Sequence, residues 1–161
     1  MAWGALSWWR DDVSIEENKA IVLRYFAEMD RGNIDVVDEL IAEDYVDHNP
    51  ALPDVGPGRE GTRQYMRMLK TAFPDATHTI DDIIAEGNKV MTRVTARGTF
   101  LGECMGYTPT GNIVEISGIA VHRVENGRLV EHWAHADIAG FMRQIGAEAA
   151  PSAAHGTPHA P

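Results

Sequence analysis

The side chains best suited to moving protons crowd into the last third of the chain. They lie in the runs Gly118-Ile119-Ala120-Val121-His122-Arg123 and Glu131-His132-Trp133-Ala134-His135-Ala136-Asp137. A carboxylate and an imidazole beside an aromatic wall suit general acid–base chemistry, because burial raises a carboxyl pKa towards neutrality and makes it a usable acid or base. A neighbouring imidazole can donate to a developing enolate oxygen or exchange protons with that carboxylate. Asp47-His48-Asn49-Pro50 supplies a further histidine, His48, expected at the pocket mouth.

Each of these residues also has a plainer reading. Asp137 precedes Ile138-Ala139-Gly140-Phe141 and fits a helix N-cap. His122 fits a hydrogen-bonded strand histidine, Trp133 a core residue, and Asp47 to Pro50 a turn. Other chemistries are absent from the sequence: there is no Gly-x-x-x-x-Gly-Lys phosphate loop and no Gly-x-Ser-x-Gly elbow. His132 and His135 stand three apart, a spacing that puts them on opposite faces of a strand and disfavours a zinc pair.

The elements that must position these groups follow from periodicity. Ser14 with Glu17 reads as a capping box, and Ile21, Val22, Tyr25, Phe26 and Met29 form one apolar helical face closed by Arg31-Gly32-Asn33. A short helix is expected over 34–41, and a longer one over 59–73 that Pro74 stops. Beyond Pro74 the period becomes two, giving strands over 77–86, 89–99, 112–125 and 128–137, followed by a last helix over 138–145. Asn126-Gly127 is a strong type I′ hairpin signal. With those two as the loop, Glu125 pairs with Arg128, and unbroken alternation sets His122 opposite Glu131, Ala120 opposite Trp133 and Gly118 opposite His135. His122, Trp133, His135 and Asp137 then share one face, with His132 on the other. A bulge near the turn would slip that register.

Helices first and antiparallel strands afterwards make an α+β order. Residues 1–13 read as a tryptophan-containing arm, 14–146 as one domain and 147–161 as a disordered tail. A net charge of −10 without a basic stripe excludes nucleic acid as a partner. No apolar run reaches the length of a membrane span, and the opening residues lack the charged start of a signal peptide. A lone Cys104 cannot make an internal disulfide, so a reducing cytoplasm is the expected location.

The combined pattern resembles a known family. Gly98-Thr99-Phe100-Leu101-Gly102-Glu103, Pro109-Thr110-Gly111, Gly118-Ile119, His122-Arg123 and Asn126 through Trp133 are similar to the SnoaL-like polyketide cyclases, or ester cyclases, of the NTF2-like superfamily. The opening, from the 18–30 helix through Glu43-Asp44-Tyr45-Val46-Asp47-His48, follows the same plan, so the resemblance covers about residues 14–146. It implies an α+β cone in which a curved antiparallel sheet and N-terminal helices enclose a pocket. It also implies a homodimer, no metal or organic cofactor, and intramolecular aldol closure of a small hydrophobic, aromatic polyketide ester. By the same resemblance Asp137 is the acid/base, His122 its supporting histidine at a spacing that is off by one, and His48 the histidine after the second helix. Phe100 stands where many relatives carry histidine, which points to a different substrate or a reduced catalytic set.

The expected site is therefore Asp137, His122 and His48 as catalytic groups, with Trp133, Tyr45, Phe100 and His135 against the substrate and Glu131 orienting His122. Other proton-transfer chemistry on the same groups (isomerase, dehydratase or hydrolase) and a non-catalytic small-ligand-binding dimer are the alternatives.

Overall fold

The apolar stripe of the first helix has to be covered, and a curved sheet covers it. In the computed structural model, which describes residues 8–50 and 55–146 and side chains from residue 15 onward, helix α1 runs Trp8–Arg31. Val22, Tyr25, Phe26 and Met29 on its inner face are buried with Val36, Val37, Leu40 and Ile41 in the main core. The helix begins at Trp8, so Ser14 and Glu17 lie within it and not at its N-terminus. Residues 1–7 of the tryptophan-rich opening and the tail, 147–161, lie outside the described residues.

After a five-residue helix α2 (Val36–Leu40), the chain enters a strand, β1 (Ile41–Asp47), where the sequence pattern suggested only a helix end and a turn. Helix α3 (Gly58–Ala72) follows, then β2 (Thr77–Glu86), β3 (Lys89–Thr99), β4 (Ile113–Glu125), β5 (Arg128–Ala136) and α4 (Ile138–Gln144). The sheet order is β1-β5-β4-β3-β2. The last four strands form an antiparallel meander, and β1 adds itself parallel to β5 at the edge. The sheet is thus mixed, with β1 bringing Tyr45 and Asp47 beside β5. Among the described residues no helix is long and apolar enough to cross a membrane.

The β4–β5 hairpin turns as its sequence requires: Asn126 and Gly127 have φ of 50° and 75°, the left-handed pair of a type I′ turn. Glu125 pairs with Arg128 and Val124 with Leu129, but Arg123 pairs with Glu131. Val130 is therefore an extra residue, a β-bulge, and every later pair is displaced by one. His122 faces His132, Val121 faces Trp133, Ala120 faces Ala134 and Ile119 faces His135. This corrects the register expected from unbroken alternation. His132 joins His122 on the inner face, while Glu131, Trp133 and His135 turn outward.

Gly61, in the first turn of α3, fixes the loop before that helix. A Cβ at Gly61 would sit 1.7 Å from the Gly56 carbonyl oxygen, so this contact admits no side chain. Gly56 N also donates to Gln64 Oε1 at 3.0 Å, pinning the same loop to α3. Gly61→Ala is expected to lower unfolding stability by about 1–3 kcal/mol through this overlap, read as a shifted urea midpoint with an unchanged slope.

Candidate functional site

Small residues on the inner strand faces leave the volume that the site occupies. Gly118, Ala120, Ala134 and Ala136 line a cavity of about 480 Å³, within the range typical of small-molecule pockets. Its other walls come from α1 (Tyr25, Phe26, Met29), β1 (Tyr45, Asp47), α3 (Thr62, Tyr65) and β2 (His78). Val55 to Gly58, the loop pinned by Gly61, stands at the mouth with Pro50.

Two histidines and one carboxylate converge on this cavity. His122 is 1% exposed, and its Nδ1 is buried without a hydrogen-bond partner. The His132 ring lies against it with centroids 4.7 Å apart. His132 Nδ1 is 3.1 Å from Asp47 Oδ1, an ion-pair distance, although the ring is turned off the line of a hydrogen bond. The sheet enforces this closeness: Asp47 is the register partner of His132, and His48 N donates to His132 O at 2.9 Å.

Electrostatics sets the protonation states. Burial pushes the Asp47 carboxyl upward, but His132, the Asn49 N–H donating to Oδ1 at 3.0 Å, and His48 together hold it below the usual carboxylate range. Burial, assisted by His132, lowers the His122 pKa to about 3, so His122 is a neutral imidazole at physiological pH. Burial also keeps the surrounding phenols protonated: Tyr65 is pushed up to about 12, and Tyr25 and Tyr45 higher still, with Asp47 adding to each. The cavity wall therefore presents the anionic Asp47 carboxylate, the neutral His122 imidazole and three phenolic donors, alongside His132 and His78.

The residues singled out from the sequence are divided by the bulge. His122 and Tyr45 line the cavity. Trp133 does not: it lies on the outer face, stacked on His48 with centroids 4.5 Å apart and planes 3° from parallel, and Lys89 Nζ is 5.5 Å from its ring. His48 Nε2 pairs with Glu131 Oε2 at 3.1 Å, and Glu131 also takes Arg123, so neither His48 nor Glu131 reaches His122. His135 is at the cavity rim, but its strand position turns its side chain outward beside Ile119. Phe100 is fully buried in a second core and packs on Phe73 at 5.4 Å. Asp137 is exposed and caps α4, with Oδ1 accepting from Gly140 N at 2.8 Å.

The physical reason is parity. With Val130 bulged, positions 132, 134 and 136 face the cavity, and the carboxylate at 137 falls one residue too late. The pocket carboxylate is Asp47, which the sequence reading treated as turn chemistry. The alternation of Tyr45 and Asp47 against exposed Val46 was the signal that could have marked it as a strand residue. Among the described residues, no three His, Cys, Asp or Glu side chains converge in a way that would hold a metal ion.

The buried His122 makes folding sensitive to acid. The unfolded chain protonates this imidazole near 6.5, whereas the folded chain resists until about 3. Stability present at neutral pH is therefore lost as pH falls below 6.5, with a slope of about 1.4 kcal/mol per pH unit per proton. Between about pH 6 and 5.5, where ordinary carboxylates stay largely ionised, urea denaturation should show about one extra proton taken up on unfolding, and His122→Gln should remove that component.

Comparison with known proteins agrees with this architecture. The family model for SnoaL-like polyketide cyclase matches residues 20–145. Aklanonic acid methyl ester cyclase DauD from Streptomyces sp. (strain C5) is 29% identical over 135 residues, covering 78% of this chain and 80% of DauD. Among solved structures, TsrD from Streptomyces laurentii superimposes with a TM-score of 0.74 at 27% identity, covering 82% of this chain and 96% of TsrD. IdmH from Streptomyces antibioticus gives 0.69 at 34% identity, covering 80% of this chain and 98% of IdmH. The curved sheet, the helices that close it into an NTF2-like cone and the match over nearly the whole domain lead to one assignment: the chain belongs to the SnoaL-like polyketide cyclase family.

Proposed function

We propose that the protein closes a ring in an aromatic polyketide-like ester by a cofactor-independent intramolecular aldol reaction, with Asp47, His132 and His122 as the acid–base set. The observation that carries this reading is the line Asp47–His132–His122 at the wall of a cavity flanked by Tyr25, Tyr45 and Tyr65. The similarity to an aklanonic acid methyl ester cyclase supports the substrate class.

In this mechanism the Asp47 carboxylate faces His132 Nδ1 and favours a proton there, leaving Nε2 as the base. His132 removes a proton from the carbon between two carbonyls of the substrate. The enolate carbon attacks a ketone carbon elsewhere in the same molecule, a carbon–carbon bond forms, and the new alkoxide takes a proton back from the imidazolium. Atoms are conserved, so the product is an isomer of the substrate. Neutral His122 and the phenols supply hydrogen bonds to the enolate oxygen in a water-poor site, where such contacts are strong. The cavity holds the substrate folded on itself, and orientation of this kind can supply up to ~7–11 kcal/mol of the barrier in good cases.

Purified protein incubated with an anthraquinone-type polyketide methyl ester is expected to yield a cyclised product of unchanged mass by mass-resolved chromatography. Asp47→Asn should lower kcat/KM by about 10²–10⁴-fold while ligand binding persists. Asp137→Asn run in parallel distinguishes the two carboxylates: a rate collapse there, with Asp47→Asn near normal, would move the acid/base to the α4 cap. Tight binding without turnover by the parent protein would favour the carrier alternative.

The outer sheet face suits a homodimer. Ile84, Met91, Val121 and Trp133 are successive register partners and form one apolar row across β2 to β5, with Ile84 59% exposed and Ile119, two residues from Val121 on the same face, 50% exposed. Rows of this kind on a soluble protein are usually covered. Light scattering at micromolar concentration should give twice the chain mass, and Val121→Glu should halve it; a monomeric parent would end this reading.

A further inference from the structure

A second carboxylate–imidazole pair faces the same cavity from the opposite wall. His78, on β2, is the register partner of Ala96, which in turn pairs with Ile116, and all three line the cavity. His78 Nδ1 is 2.5 Å from Asp30 Oδ1, and Asp30 Oδ2 accepts from His78 N at 3.0 Å. The Asp30 backbone carbonyl is held by Lys70 Nζ of α3 at 2.6 Å, which fixes the main chain that carries the carboxylate. The His78 side chain is only 7% exposed, and its Nε2 has no hydrogen-bond partner among the described residues.

The position of this imidazole gives it a use. Next to the main cavity lies a smaller apolar one of about 120 Å³, reaching Leu69, Phe73 and Phe141, and His78 lines both. Phe26 stands between His78 and His122, its ring centroid 5.4 Å from the first and 5.9 Å from the second. The two imidazoles therefore face different stretches of the cavity. A structural staple between α1 and β2 would need only the bond from His78 N to Asp30; the fixed ring adds a directed polar atom, with the Tyr65 phenol, to the mostly apolar neck where residues common to both cavities meet.

We propose that His78 Nε2, oriented by Asp30, is a specificity-determining contact for a phenolic or enolic hydroxyl on the ring system that occupies the neck. With Nδ1–H donated to the carboxylate, Nε2 takes the acceptor role in this proposal, so it pairs with a group that brings a proton. A ketone or a methyl ether there brings none and leaves the nitrogen dry and unpaired, which is the costly case. Asp30–His78 thus reads the oxidation and methylation pattern of the distal ring, while the cyclisation proposed above takes place at His132 and His122. The substrate class rests on that reading; the hydroxyl preference itself does not require turnover.

The test is binding by the full chain to 2-hydroxyanthraquinone and to 2-methoxyanthraquinone, followed by quenching of protein fluorescence. The parent protein should bind the hydroxy compound about tenfold more tightly, one hydrogen bond's worth. In His78→Leu the ratio should fall to about twofold or less, with the methyl ether bound as in the parent. No preference in the parent, or a preference that survives in a cooperatively folding His78→Leu, overturns the proposal. As a measurement that needs no variant, the His78 Nε2 resonance in ¹⁵N-labelled parent protein should move on addition of the hydroxy compound and not of the ether; a stationary resonance also overturns it. Because neither experiment reads turnover, failure here leaves the cyclase reading intact, and failure of cyclisation leaves the hydroxyl preference standing.

Discussion

Val130 is one residue more than the β4–β5 pairing can use, and the site depends on where that surplus goes. Leu129 before it is fully buried against the α1 core, so the strand is anchored with position 129 facing inward. Unbroken alternation from that anchor would send Glu131 and Trp133 into the cavity. A charged carboxylate and an indole would then fill the space now kept open by Ala134 and Ala136. The bulge reverses the parity, brings His132 in beside His122, and exports Glu131 and Trp133 to a face where each has partners: Arg123 and His48 for the carboxylate, His48 and Lys89 for the indole. One unpaired residue thus separates a polar network that belongs near water from the imidazole pair that belongs in the dry interior.

Burial then does the chemical tuning. An imidazole enclosed by Tyr25, Phe26 and His132 gains nothing from becoming charged, so His122 remains neutral well into acid. Asp47 would be driven the same way, towards its uncharged form, were it not for His132 and the Asn49 amide, which outweigh the cost of burial. A charge partner is available to Asp47 and none to His122, and that difference gives two buried titratable neighbours opposite characters. It is the arrangement in which one group can hold negative charge while the other contributes hydrogen bonds without adding a proton of its own.

How much of this the sequence carried depends on the range of the interaction concerned. The strands 77–86 and 89–99 and the Asn126-Gly127 turn were readable because they are local: period-two patterning and the need for positive φ act over a few residues. The bulge was not, because it balances burial of Leu129 and Val124 on one side of Val130 against outward placement of Glu131 and Trp133 on the other. That balance exists only once β4, α1 and β1 are assembled. Strand β1 was hidden for a related reason. Its pairing is with β5, far along the chain, and Glu43-Asp44 interrupts the alternation that Tyr45 and Asp47 resume. A carboxylate on such an edge strand looks like part of a turn until its neighbour is known, whereas Asp137 looked catalytic from its place after Trp133 and serves as a helix cap.

The same topology explains why the cavity has polar groups at both ends and apolar walls between them. A sheet that curves around α1 brings β5 on one side and β2 with β3 on the other against the same helix. Phe26 occupies the middle of that helix face, with His122 on one side and His78 on the other. Each of the two cavity histidines beside a carboxylate uses one drawn from outside its own strand: Asp47 from β1 for His132, and Asp30 from the end of α1 for His78. The first pair needs β1 laid against β5 and the second needs β2 laid against the end of α1, so the acid–base groups report on long-range assembly rather than on any one hairpin. Inward positions that would otherwise demand large apolar side chains can therefore stay small, because the rigidity they forgo is supplied by the two carboxylates that tie the rim of the sheet to its neighbours.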